Sequence, residues 1–65
     1  MKPASIDEIR EAVREYLDET GDTRITAGHT PFVQGYVTRT LARKQLLVPA
    51  EVLSAVIAEI NAEAG

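Results

Sequence analysis

Two interruptions constrain this chain more than any other feature. Gly21, with the Gly- and Thr-rich stretch behind it, and Val48-Pro49 cut its 65 residues into three segments, each about the length of one helix. The first segment opens on Ser5-Ile6-Asp7-Glu8, a capping box in which the serine hydroxyl accepts from the Glu8 N–H and the glutamate reaches back. Ile6, Ile9, Val13, Tyr16 and Leu17 follow at helical spacing, opposite Asp7, Glu11, Arg14 and Asp18. Gly21 is a left-handed stop, so the first helix is expected at 6–19.

Residues 21–30 form a connector, with a brief alternation around Ile25 that reads as a short strand only if something pairs with it. Thr30-Pro31 supplies a cap and a proline for the first helical position, and Val33, Tyr36, Val37, Thr40 and Leu41 recur at helical spacing. Gly35 and the β-branched residues weaken that helix, and residues 32–40 also read as extended strand; helix at 31–45 is the preferred reading. Pro49-Ala50-Glu51 opens a third helix, 49–63, whose apolar face of Val52, Leu53, Val56, Ile57 and Ile60 is broad enough to pack on more than one side. The expected fold is all-α, a three-helix bundle in one domain, with room for a minimal ribbon between 24–26 and 46–48.

A domain of this length buries only about 60% of the surface its unfolded chain exposes. Such domains are commonly reinforced by disulfides, a metal or an oligomer interface. The chain has no cysteine and one histidine, which removes disulfides and argues against structural zinc. Self-association or tight helix packing is what remains. No apolar run reaches the roughly 20 residues that span a bilayer, and the start does not resemble a secretory signal. The expectation is a complete cytoplasmic protein of a bacterium or phage, without membrane contact.

Charge is segregated. Residues 1–22 hold three cations against seven acids, residues 51–65 hold three acids and no cation, and the acid-free middle holds Arg24, His29, Arg39, Arg43 and Lys44. Arg39 and Arg43 are four apart and share one side of the second helix. They read either as partners for the acids of the flanking helices, within the fold or across a dimer, or as a face for an acidic partner or DNA phosphate. The net charge of −3 disfavours non-specific contact with nucleic acid.

The inventory for catalysis is thin. His29 has no serine or threonine placed to act as its nucleophile, since Ser5 is a cap and Ser54 falls on an exposed face. The carboxylates of helix one lie on its solvated stripe rather than in a cleft. Gly21, Gly28 and Gly35, spaced seven apart, match no phosphate loop; they read as a helix stop, a turn residue and a point of close helix approach. No catalytic residue, cofactor, metal or small-molecule substrate is expected.

Residues 36–48, Tyr-Val-Thr-Arg-Thr-Leu-Ala-Arg-Lys-Gln-Leu-Leu-Val, resemble the recognition helix and following strand of bacterial winged-helix regulators. That resemblance implies a short separate helix at 28–34, a strand at Ile25 pairing with 46–48, and DNA contacts from Thr38, Arg39, Arg43 and Lys44. The chain departs from the family in opening a helix at Pro49 where a wing hairpin would follow, in the proline within the short helix, and in its acidity.

The leading expectation is a non-enzymatic interaction or regulatory module. It would form a homodimer, or bind a protein partner, through Val52, Val56, Ile57 and Ile60 of helix three and the apolar edge of helix two. Arg39, Arg43 and Lys44 would set orientation. The alternative is a compact helix-turn-helix protein reading DNA with residues 36–45.

Overall fold

The computed structural model describes residues 1–64. In chain order they form β1 (Lys2–Pro3), α1 (Ile6–Thr20), a 3-10 turn (Ala27–His29), α2 (Thr30–Ala42), β2 (Leu46–Leu47) and α3 (Ala50–Ala64). The three-helix bundle expected from the sequence is present, and residues 32–40 are helix rather than strand.

Helix α1 has the ends that its sequence encodes. Ser5 Oγ accepts from the Glu8 N–H at 3.1 Å, and Glu8 Oε1 accepts from the Ser5 N–H at 2.8 Å. At the far end Gly21 takes φ 75°, and its N–H donates to the Leu17 carbonyl at 2.8 Å. Glycine adopts this left-handed conformation without the Cβ clash that other residues meet.

The entry to α2 differs from the sequence reading. The 3-10 turn runs straight into the helix, and Thr30 is its first residue rather than its cap; the Thr30 hydroxyl donates to the Thr26 carbonyl at 3.2 Å. The short separate helix at 28–34 is therefore not formed, and 30–42 is one continuous element. The helix stops at Ala42, short of the expected 45, because Lys44 and Gln45 donate to the Leu41 and Ala42 carbonyls in a tight turn, with Gln45 left-handed at φ 61°.

That turn delivers Leu46–Leu47 into a parallel ribbon with Lys2–Pro3, in the register Lys2 to Leu46 and Pro3 to Leu47. The Ala4 N–H extends it, donating to the Leu47 carbonyl at 2.7 Å. The ribbon expected between 24–26 and 46–48 is corrected here: the second strand is right, but its partner is the N-terminal segment. Ile25 is instead buried at the core and its backbone is satisfied by a side chain, the Asn61 amide.

The core is assembled from Ala4, four residues of α1 (Ile9, Ala12, Val13, Leu17), Ile25, a single row on α2 (Val33, Val37, Leu41) and four residues of α3 (Leu53, Val56, Ile57, Ile60). Helix α2 buries one residue per turn, so most of its circumference is left outside. Ile6, counted on the apolar face of α1, is 54% exposed, since the first turn overhangs the core. Gly35 is exposed with nothing within 4 Å of where a Cβ would stand, so within this chain it is not a point of close helix approach.

Candidate interaction face

With Val33, Val37 and Leu41 turned inward, the i+3/i+4 row Phe32, Gly35, Arg39 and Arg43 lies along the outside of α2 and its C-terminal turn. All four are exposed, Phe32 at 65%. Met1, Ile6 and Leu47 are exposed as well, but Phe32 is the one of these four hydrophobic residues that shares a row with cations. The His29 ring meets Phe32 edge-on at 6.3 Å. Thr38 and Lys44, the other residues expected at a contact face, are exposed as well.

Helices α1 and α2 run side by side and antiparallel. Tyr16 and Tyr36 cross edge-to-face at the middle, ring centroids 5.5 Å apart and planes at 67°. At one end Lys44 lies near Glu8. The Glu8 carboxyl is held below its ordinary 4.5, first by the Ser5 N–H and then by the Ser5 side chain, with a smaller contribution from the Lys44 charge. Toward the other end Glu19 and Glu15 approach Tyr36. Loss of solvent raises the Tyr36 hydroxyl above 10.0, and Glu19 and then Glu15 push it the same way.

The ion pairs fall elsewhere. Arg10 bridges Asp7 at 2.9 Å and Glu59 at 2.8 Å, and Arg14 reaches Glu63 at 3.7 Å. These tie α1 to α3. Among the described residues none involves Arg24, Arg39, Arg43 or Lys44. The sequence leads one to expect the flanking acids to answer the basic middle inside the fold or across a dimer; among the described residues only Lys44 lies near one of them, Glu8, and those acids that pair across helices take the two arginines of α1 instead. The outward row of α2 points away from α3, where Glu59 and Glu63 sit, and among the described residues it forms no ion pair with the glutamates of α1 either.

The face of α3 assigned to self-association is also corrected. Val56, Ile57 and Ile60 are buried within a single chain, and Val52 is half-buried against the same core. The face packs on α1 and, through Asn61, on the segment around Ile25, and its residues belong to the single buried core.

One open depression of about 380 Å³ lies where the C-terminal ends of α1 and α3 meet, lined by Arg14, Leu17, Asp18, Asp22, Thr23, Ile60, Glu63 and Ala64. Among the described residues no three His, Cys, Asp or Glu side chains converge as metal ligands, and no helix is long and apolar enough to cross a membrane.

Sequence reasoning missed Asn61 and the pairing of Lys2–Pro3. An asparagine among alanines and isoleucines near the end of α3 was the available signal for the first. A two-residue strand carries no signal of its own. Comparison with protein-family models, curated proteins and solved structures finds no match to this chain.

Proposed function

We propose that this chain is a non-enzymatic interaction module whose contact surface is the outward face of α2, and that its partner presents a row of carboxylates. One observation carries the reading. Both arginines of α1 are paired inside the fold, whereas Arg39 and Arg43 make no ion pair among the described residues and stand on an acid-free element beside an exposed phenyl ring. Aromatic and arginine side chains are the residues that dominate protein contacts, and an unpaired basic row favours an acidic surface over a neutral one.

The test is an amide-shift titration with a synthetic amphipathic helix of glutamate and leucine. Shifts should concentrate at Phe32, Arg39 and Arg43, and Phe32→Ala or Arg39→Glu should remove them. Shifts confined to α3, or none, would overturn the reading.

Duplex DNA is the second reading, favoured by Thr38, Arg39 and Arg43 projecting from that same helix. It is opposed by the net charge of −3 and by Glu15 and Glu19 at the edge of the face. A salt-sensitive gel shift, lost in Arg39→Glu with Arg43→Glu while the fold is retained, would establish DNA as the partner.

A further inference from the structure

We propose that the partner is a second copy of this chain, docked about a twofold axis that runs parallel to α1 and α2. This rests on the outward face of α2 being the contact surface. The observation behind it is a pair of matched rows on one face. Helix α1 carries Glu8, Glu11, Glu15 and Glu19 at i+3/i+4 spacing, and α2 with its turn carries Phe32, Gly35, Arg39 and Arg43 at the same spacing. All eight residues are exposed. Each row runs the same eleven-residue length, about 16 Å at ~1.5 Å per residue.

The two rows lie next to each other and run in opposite directions, fixed by Lys44 near Glu8, by Tyr16 on Tyr36, and by Glu19 and Glu15 near the Tyr36 hydroxyl. A twofold axis along the helices exchanges the rows and keeps every residue at its own height. It sets the acidic row of one copy against the basic row of the other, twice, with Glu8, Glu11 and Glu15 at the level of Arg43 and Arg39. Glu19 meets the level of Phe32 and Gly35. Such an isologous contact closes at two copies.

Gly35 points the same way. A mid-helix glycine costs about 1 kcal/mol relative to alanine, and among the described residues nothing beyond its chain neighbours and its own helix backbone comes within 4 Å of its missing Cβ. Open space on the outside of one copy is room for the α1 helix of the next.

Sedimentation of the wild-type chain should give a dimer at about 0.05 M salt that falls to one chain at about 0.5 M, where surface charge is screened. Arg39→Glu with Arg43→Glu should be monomeric, and so should Glu11→Lys with Glu15→Lys, because each variant sets like charges against like. An equimolar mixture of the two should dimerise again, since both contacts are then opposite in sign. Gly35→Gln should hold or raise the melting temperature and weaken the dimer. A wild-type monomer at about 0.05 M salt, a dimer indifferent to these charges, or a mixture that stays monomeric would overturn the proposal. If the chain is monomeric and the glutamate–leucine helix still shifts Phe32 and Arg39, the second copy is excluded and the contact surface on α2 stands. If that helix shifts nothing, the contact surface falls too.

Discussion

Asn61 holds Ile25 by both halves of its side-chain amide. Its Oδ1 accepts from the Ile25 N–H at 2.8 Å, and its Nδ2 donates to the Ile25 carbonyl at 2.9 Å. The amide stands in for a neighbouring strand, and it locks the connector between α1 and α2 onto the end of α3. Each half is partly buried, so removing it leaves a backbone group with reduced access to water.

Asn61→Ala should therefore cost about 1–3 kcal/mol, the range for orphaning buried hydrogen-bonding groups. Asn61→Asp should also destabilise at neutral pH, because a carboxylate cannot donate to the Ile25 carbonyl. Urea unfolding measures both, and an unchanged midpoint would show that the clamp contributes nothing.

The capping box makes stability depend on acid. The folded-state pKa of Glu8 lies below its ordinary 4.5 because it accepts from Ser5. Its contribution is present above that ordinary value and is lost as pH falls through the depressed folded value. Ser5→Ala should cost about 1 kcal/mol, and Glu8→Gln should flatten this part of the acid limb. A carboxyl-resolved NMR titration in which Glu8 is the last or among the last glutamates to protonate on acidification is the direct check.

Substitutions on α3 separate core from interface. Ile60→Ala should cost about 2–5 kcal/mol by leaving a cavity. Val56→Glu and Ile60→Glu should unfold the chain outright, since each buries an unpaired carboxylate. Circular dichroism decides this: a folded Ile60→Glu variant with altered oligomer mass would return the face of α3 to self-association.

Gln45 sits at φ 61°, where a side chain with a Cβ is strained by about 1–2 kcal/mol. Gln45→Gly should recover part of that and raise the melting temperature slightly, although glycine adds freedom to the unfolded chain. A clear loss of stability would mean that the Gln45 side chain supports the turn into β2.

How much was legible follows the reach of each signal. Ser5 and Glu8 are three residues apart, Gly21 is four from Leu17, and Val33, Val37 and Leu41 are spaced by one turn; each is decided within one helical turn and can be read in place. The partner of Leu46–Leu47 is more than forty residues away in sequence, and Ile25 lies thirty-six from Asn61. Alternation around Ile25 suggests a short strand, which does not form; the Ile25 backbone is satisfied by Asn61, and nothing local names an amide on α3 as its partner. Phe32 shows the same limit. Its place in an apolar helix does not say whether the inward row would include it, and a one-residue offset from Val33 puts it outside.

The sequence by itself determined three helices, the ends of α1 and the separation of acidic flanks from a basic middle, because caps, glycine conformation and apolar period act over a few residues. Tertiary structure alone decided which charges pair, which face of α3 is covered, and what completes the ribbon. Those outcomes depend on how the helices dock: Arg10 and Arg14 face α3 and take its glutamates, whereas Arg39 and Arg43 face away from α3 and make no ion pair among the described residues. The basic middle thus resolves into one outward row on α2, beside an acidic row on α1 that points the same way.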